Sequence, residues 1–181
     1  MKYLGNNFLV RAALDEIRCK NNNKNELKNL YFIDISKFKT ISQLLAILDE
    51  IEDESDLSSV LLIIGASVSI PIIKVRHVDL RAPLTEWEVS IKDALRRDEN
   101  KLKNIKILCN DIIKLKPFTS KEQRVIKLVA NGFDIYNISK ITGVSEKHIY
   151  TKMLDIRKKL CLASIHNLIM YIRREFVVLK S

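Results

Sequence analysis

The sequence has little glycine and little proline, only four and three residues in a chain of 181. These two residues supply the tight turns that join the many short strands of a β-sandwich or β-barrel. Hydrophobic residues make up 47% of the chain and charged residues 29%, which is close to the average for globular domains. We therefore expect one large or two small folded domains, built of helices or of alternating helices and strands.

Long apolar runs are also lacking. The longest one, residues 60–66, is far shorter than the roughly 20 residues that span a bilayer. Asparagines interrupt the N-terminal segment before it becomes long enough for a signal peptide. The three cysteines, Cys19, Cys109 and Cys161, are odd in number and have no C-x-x-C spacing. These absences predict a cytoplasmic protein without a membrane partner, whose cysteines are reduced and buried.

The sequence also lacks the residue patterns that are typical of catalytic sites. The sequence has no recognisable nucleophile–base pair, no glycine-rich phosphate loop and no cluster of metal ligands. The three histidines, His77, His148 and His166, show no ligand spacing with one another or with the cysteines. We expect neither an enzyme nor a protein that holds a cofactor or a metal.

Positive charge is present, and it lies in one half of the chain. Residues 1–95 contain 12 basic and 14 acidic residues, whereas residues 96–181 contain 19 basic and 8 acidic residues. The formal net charge of +9 therefore belongs entirely to the second half. A basic half of this kind indicates a polyanionic partner, and nucleic acid is a commoner one than a membrane.

The first half alternates between two kinds of apolar pattern. Helical spacing predicts helices at residues 8–18, 40–51 and 84–97. Short β-rich runs predict strands at residues 30–35, 59–66 and 72–78. The run at 59–66 is apolar throughout, which is typical of a strand buried on both faces of a parallel sheet. The alternation predicts a small α/β domain over residues 1–97, and the helical pattern that follows predicts a linker over residues 98–116.

Residues 117–181 have a wholly helical pattern. Thr119 and Glu122 have the spacing of a capping box at the start of a helix. Gly132 follows that helix and Gly143 follows the next, shorter one, at positions where glycine favours a helix exit. Two helices joined by a short glycine-containing turn form a helix-turn-helix.

The helix predicted to start after Ser145 carries the candidate interface. Apolar residues recur every three or four positions on its inner side, while its outer side is basic. The predicted outer residues are Lys147, His148, Tyr150, Thr151, Lys152, Asp155, Lys158 and Lys159. Lysines on such a face can neutralise phosphates, and Tyr150 and Thr151 can reach base edges in a major groove.

The order and spacing of these C-terminal residues resemble the LuxR/FixJ (NarL) helix-turn-helix of bacterial transcription regulators. The match rests on residues 118–122, Gly132, residues 138–139, residues 144–152 and residues 159–160. This resemblance implies an all-α, four-helix domain whose third helix enters the major groove. It places Tyr150, Thr151 and Leu154 where the family touches bases. Tyr150 and Lys152 replace the family's usual Lys and His, so the resemblance does not transfer a preferred DNA sequence.

The resemblance also assigns roles to lysines and to the last helix. Phosphate contacts fall on Lys147, His148, Lys152 and Lys158. The fourth helix of the family often dimerises, and the residues that would do so here are Ile165, Leu168, Ile169 and Ile172.

The N-terminal half resembles a truncated form of the receiver domain that accompanies this helix-turn-helix. Receivers hold magnesium with a cluster of carboxylates and carry a phospho-accepting Asp after the third strand. Residues 5–7 and 62–65 occupy the corresponding places and include no carboxylate. Asp34 also ends a strand, but too little chain precedes it to complete an acidic pocket. We expect a receiver-like domain that is not phosphorylated.

These patterns predict a transcription regulator that binds double-stranded promoter DNA without phosphorylation. It would act as a homodimer or as a heterodimer with a related regulator, with RNA polymerase as a further candidate partner. The alternative is a protein-interaction module, an anti-activator that captures a related regulator. A small-molecule sensor of the quorum-sensing kind is disfavoured, because the first half offers only Trp87 and scattered Tyr and Phe as lining.

Overall fold

The structure is a computed structural model, and it describes residues 2–4, 7–20, 26–51, 59–64, 71 and 75–176. The chain divides into two units, each with its own internal contacts. The first comprises Met1–Lys37, Ala46–Val68 and Lys74–Leu108, and the second comprises Phe38–Leu45, Ser69–Ile73 and Cys109–Ser181. The predicted domain boundaries at residues 97 and 116 stay a prediction.

The described residues up to 113 form four strands and four helices. The strands are β1 (Lys2–Leu4), β2 (Leu30–Asp34), β3 (Ser59–Ile64) and β4 (His77–Asp79). The helices are α1 (Phe8–Lys20), α2 (Ile41–Glu50), α3 (Leu84–Arg96) and α4 (Leu102–Ile113), with a 3-10 turn at Asp98–Asn100. The predicted helices at 8–18, 40–51 and 84–97 are confirmed to within two residues. Parts of two predicted strands, residues 65–66 and 72–74, lie outside the described residues.

The four strands form one parallel sheet in the order β1-β2-β3-β4. All five residues of β2 are buried, so both faces of this inner strand are covered, as expected in a parallel sheet. Doubly wound sheets of the flavodoxin type instead have the order 2-1-3-4-5, whose reversal creates a ligand-binding crevice. Among the four described strands the order never reverses. The small parallel sheet was predicted, but its strand order was not.

One hydrophobic core lies between the sheet and two helices. Val10, Leu14 and Ile17 of α1 pack with Trp87, Ile91 and Ala94 of α3. Leu30, Phe32 and Val78 supply the sheet side of this cluster. The helical residues recur every three to four positions, so each helix has one apolar stripe, and burial of that stripe explains why these segments are helical here.

A buried amide ties the beginnings of two strands together. Asn100 has no exposed surface, and its Oδ1 accepts a hydrogen bond from the Arg76 backbone N–H at 3.0 Å. Its Nδ2 donates to the carbonyl oxygens of Val60, at 2.7 Å, and Arg76, at 3.1 Å. Asn100 thus satisfies backbone groups that would otherwise be buried without partners.

The second unit contains four further helices after α4. They are α5 (Ser120–Ala130), α6 (Ile135–Thr142), α7 (Glu146–Lys159) and α8 (Ile165–Glu175). Each contributes an apolar side to one core, with Ile126, Ile138, Ile156 and Ile172 all fully buried. Within the described residues, no helix is both long enough and apolar enough to cross a membrane.

The prediction that all three cysteines are buried is wrong for two of them. Cys109 is buried on α4, but Cys19 and Cys161 are exposed. Cys19 lies on the polar side of α1, and Cys161 lies in the turn after α7 with a φ of +51°. The number and spacing of the cysteines do not indicate which of them are buried, because burial depends on how the helices and turns pack.

We predict that Asn100→Leu destabilises the first unit by on the order of 3 kcal/mol, because it removes three hydrogen bonds and leaves buried backbone groups unpaired. Trp87 is the only tryptophan and is buried in that unit, so its fluorescence during urea unfolding measures the change. The matched control is Asn104→Ala, since exposed Asn104 makes one bond, to the Asp98 carbonyl oxygen. Equal losses for both variants would contradict the role of Asn100.

Candidate nucleic-acid interface

The helices that support the interface begin at side-chain caps. The Thr119 hydroxyl accepts the Glu122 backbone N–H at 3.3 Å, and the Glu122 carboxylate accepts the Thr119 N–H at 2.7 Å. The predicted capping box of α5 is therefore confirmed. Asp134 caps α6 by accepting the Asn137 N–H at 2.8 Å, and Ser164 caps α8 by accepting the Asn167 N–H at 3.1 Å. Each cap satisfies an amide that the helix itself leaves free.

A three-residue turn connects α6 to α7. It begins with Gly143 at a φ of +68°, in the left-handed region, and the Gly143 N–H donates to the Ser139 carbonyl oxygen at 2.9 Å. A residue with a side chain would be strained in this conformation, so the glycine allows α6 to end here in a left-handed residue. The N-cap residue Ser145 and the first three residues of α7, Glu146 to His148, are all exposed.

The exposed face of α7 largely matches the predicted one. Lys147, His148, Thr151, Asp155 and Lys158 are exposed, and Ile149, Met153 and Ile156 are buried on the opposite side.

The remaining predicted contact residues of α7 differ in accessibility. Tyr150 is 46% exposed, which excludes a purely internal packing role for this ring. Lys152 and Leu154 are half-buried at the edge of the face. The Thr151 hydroxyl donates to the Lys147 carbonyl oxygen at 3.0 Å, which leaves it free to accept but not to donate.

The N-terminus of α7 differs from those of α5, α6 and α8. Ser145 occupies the N-cap position, as predicted, but makes no capping hydrogen bond to the helix backbone. Its hydroxyl pairs instead with Nδ1 of His148 at 2.7 Å. The first-turn amides of α7 therefore have no side-chain acceptor and point out of an exposed helix end. Such amides, together with the helix dipole, favour a phosphate group.

One predicted interface lysine has a partner inside the chain. Lys159 Nζ lies 2.7 Å from Glu122 Oε2 and 5.9 Å from the centre of the Phe118 ring. The Glu122 side chain is only 8% exposed, whereas that of Lys159 is 40% exposed. The ammonium thus neutralises a buried carboxylate at the start of α5. Lys159 fixes the end of α7 to α5, so its ammonium has a structural role inside the second unit.

The protonation of Glu122 reflects this contact. Burial alone would raise its pKa, but hydrogen bonds from Lys159 and Thr119 outweigh burial and hold the pKa below its ordinary value of 4.5. The carboxylate is therefore charged in the folded protein at neutral pH. Sequence spacing gave no indication of this pair, because 37 residues separate its members.

Arg157 also has a structural contact that the sequence analysis missed. Its guanidinium donates to the carbonyl oxygens of Leu162, at 3.2 Å, and Ala163, at 3.1 Å. It thereby closes the turn that follows α7. A basic residue in the last turn of a helix often binds carbonyls beyond the helix end, and this general signal would have identified Arg157.

The predicted dimerisation residues separate into two groups. Leu168 and Ile172 have no exposed surface and belong to the core of the second unit, so their assignment to a dimer contact is corrected. Ile165 and Ile169 are half-buried. The apolar stripe of α8 was correctly identified from its spacing, but its buried centre packs against the chain's own helices.

Carboxylates at strand ends in the first unit are bound locally. Asp34, at the end of β2, is buried and accepts hydrogen bonds from the Ser36 N–H at 3.0 Å and hydroxyl at 2.6 Å. Hydrogen bonds from Arg81 lower the pKa of Asp79, at the end of β4. Among the described residues, no group of three or more His, Cys, Asp or Glu side chains is arranged to hold a metal ion. Residues 5, 6 and 65, where the sequence lacks receiver carboxylates, lie outside the described ranges.

No known family and no curated protein matches the chain. It is similar to two solved structures over nearly its whole length. The match to the response regulator StyR covers 97% of this chain and 96% of that one, at 15% identity and a TM-score of 0.37. The match to full-length FixJ from B. japonicum covers 98% and 95%, at 12% identity and a TM-score of 0.35. Likeness at this distance does not transfer the role of any residue.

We predict that Lys159→Met destabilises the second unit by on the order of 2 kcal/mol. Removal of one partner from a fully buried ion pair costs roughly 3–5 kcal/mol of stability. We expect a smaller loss here because Lys159 is partly exposed. The matched control is Lys158→Met, which removes an exposed neighbour and should change stability by less than about 0.5 kcal/mol. Hydrogen exchange of the α5 and α7 amides measures both effects, and an equal loss in the control would contradict the pairing.

The pair also predicts a pH dependence. Because the folded pKa of Glu122 is lowered, its stabilisation is fully present above its ordinary value and is lost as the pH falls through the folded pKa. We expect Glu122→Gln to reduce the pH dependence of stability below about pH 4.5. An unchanged acid-unfolding profile would contradict this part of the prediction.

Proposed function

We propose that the chain is a transcription regulator whose second unit binds double-stranded DNA through the exposed face of α7. The observation that carries the proposal is the uncapped N-terminus of α7, which presents free amides beside exposed Lys147 and His148. The other three helices of residues 120–175 have side-chain caps. Among the four helices of residues 120–175, the helix end without a side-chain cap therefore belongs to the helix that also carries the basic face.

The chemistry of the face supports both parts of DNA recognition. Lys147, Lys152 and Lys158 supply positive charge for phosphates, which dominates affinity. Tyr150, Thr151 and Leu154 supply a ring, an acceptor hydroxyl and an apolar surface for base edges. Asp155 also lies on this face and disfavours close phosphate contact at its own position. The contact set that we propose is thus centred on residues 147–154 of α7, with Lys158 as a further phosphate contact in the last turn.

Control by phosphorylation is not part of the proposal. Asp34 is buried and accepts a hydrogen bond from the Ser36 hydroxyl, and Asp79 forms an ion pair with Arg81. The inner strand β3 separates β2, which ends in Asp34, from β4, which ends in Asp79. The two carboxylates are therefore not adjacent strand ends that could share a magnesium ion.

A dimer, or a heterodimer with a related regulator, is the proposed assembly, with RNA polymerase as a further candidate partner. One module of this size makes few phosphate contacts, and pairing two modules raises affinity through effective concentration. Because α8 buries Leu168 and Ile172, the favoured pairing surface lies in the first unit. Phe8 is 78% exposed and Leu9 is 73% exposed at the start of α1, a pair of large apolar side chains that a partner would cover.

The same apolar pair favours one alternative, an anti-activator that captures a related regulator without binding DNA. The two functions differ in their salt dependence. A DNA-binding regulator loses affinity for a duplex steeply as salt rises, because counterions are released on binding. An anti-activator shows no such slope and associates only with protein.

We predict that Lys147→Ala and Lys152→Ala each weaken binding to every duplex sequence. Each should lower the slope of log affinity against log salt by about one, since each removes one phosphate contact. Tyr150→Ala should instead change the preference among sequences. Titration of a random-sequence duplex at several salt concentrations measures the slope, and selection from a duplex library measures the preference.

The matched control for these lysines is Lys103→Ala, which removes an exposed lysine of α4. It should leave both slope and affinity unchanged. Loss of affinity in the control, or unchanged affinity in both α7 variants with the fold intact, would contradict the assignment of α7.

We predict that Phe8→Asp shifts the protein towards the monomer, because a charge replaces an apolar side chain that a partner would cover. Sedimentation velocity with and without DNA measures the shift. The matched control is Val89→Asp on α3, whose valine is 53% exposed and lies outside the proposed surface. A wild-type protein that is a strict monomer in both conditions would rule out this assembly.

A further inference from the structure

The second unit contains a cavity that the proposed DNA-binding face does not use. It has a volume of about 350 Å³ and lies where α6, α7 and α8 meet the end of α5. Val129, Ile138 and Met153 line it from the buried side, each at most 2% exposed. The volume falls within the roughly 300–1,000 Å³ range of small-molecule sites.

The opening of the cavity is aromatic. Phe133 is 39% exposed and Tyr136 is 56% exposed, and both line the cavity together with Ile135 and Ile169. Two partly exposed rings beside buried aliphatic side chains suit a flat apolar body, which can stack on the rings and displace water from the interior.

The charged groups of the lining define the other end of a ligand. Asp134 is an acidic residue of the lining, and its carboxylate caps α6 by accepting the Asn137 N–H. Arg173 is exposed and uses one N–H to bind the Gly132 carbonyl oxygen at 3.3 Å. The other N–H groups of its guanidinium can bind a carboxylate, and arginine binds carboxylates most strongly through two parallel hydrogen bonds. The lining therefore combines an apolar interior with one acidic side chain, which caps α6, and one basic side chain, Arg173.

We infer that this cavity binds a small aromatic carboxylate, with the ring between Phe133, Tyr136 and Ile169 and the carboxylate on Arg173. None of the exposed α7 residues proposed to touch DNA lines the cavity, so the inference does not rest on DNA binding. A bound ring would contact Met153 on the inner side of α7 and residues of α6 and α8 at once. Occupancy should therefore stabilise the second unit by mass action.

The test uses 2-naphthoate as the probe and 2-naphthamide as its neutral analogue of nearly equal shape. Titration of the full chain with a methyl-labelled methionine should give saturable shifts of the Met153 signal with naphthoate. We expect the amide to bind at least tenfold more weakly, because it cannot form the charged pair with Arg173. No shift of Met153, or equal affinity for acid and amide, would overturn the inference.

A matched pair of variants tests the role of the arginine. Arg173→Met should remove the preference for the acid over the amide, whereas Arg174→Met, at the exposed position next to it, should keep the preference. Because Arg173 also binds Gly132, Ile169→Trp provides a second test, since it fills the cavity with Arg173 intact and should abolish binding of both probes. Retained binding in Ile169→Trp would place the probe elsewhere and overturn the inference.

Two further outcomes separate this site from the other surfaces. Lys147→Ala should leave naphthoate binding unchanged, so failure of the DNA proposal and failure of this one are distinguishable. An acidic peptide with one phenylalanine that displaces naphthoate at lower concentration would overturn the small-molecule assignment and identify the cavity as a protein-docking site.

Discussion

A buried carboxylate must be paired, and in the second unit this requirement determines where the candidate interface lies. Glu122 accepts three hydrogen bonds on one oxygen, from the Thr119 N–H and hydroxyl and from the Lys159 ammonium. Thr119 begins α5 and Lys159 ends α7. Since a buried charge without partners is strongly unfavourable, the start of one helix and the end of the other are held together. The outward face of α7 is oriented from its C-terminal end by this contact and from its N-terminal end by the Gly143 turn.

Three of the four C-terminal helices have a stabilising side-chain cap at the N-terminus, and α7 does not. A side-chain cap is worth about 1 kcal/mol, and α5, α6 and α8 each have one. Ser145 could provide a fourth, but its hydroxyl pairs with His148 instead. Locally consistent sequences depart from such rules mainly at functional sites. The missing cap is therefore the feature of α7 on which the proposed phosphate contact rests, and the Ser145–His148 pair keeps the imidazole beside those amides.

The sequence alone predicted what depends on near neighbours in the chain. The capping box of Thr119 and Glu122, the helix exits at Gly132 and Gly143 and the amphipathic stripes follow from residues at most four positions apart. Contacts between distant residues were not predictable in this way. The Lys159–Glu122 pair, the position of Asn100 between β3 and β4 and the burial of Leu168 all depend on how the elements pack. The lysines of α7 illustrate the limit, because Lys158 and Lys159 are adjacent, yet only Lys159 has a buried partner.

Among the strands that the structure describes, the parallel sheet of the first unit has an order that creates no ligand-binding crevice at the strand ends. A crevice for a ligand opens where the strand order reverses and neighbouring connections leave on opposite faces. The described strands follow the order β1-β2-β3-β4, so they create no such point. The carboxylates at the ends of β2 and β4 instead accept local hydrogen bonds, from Ser36 and Arg81 respectively. Among the described residues of this unit, the most exposed large apolar side chains are Phe8 and Leu9 at the start of α1. These two side chains are the residues on which the proposed pairing surface of the first unit rests.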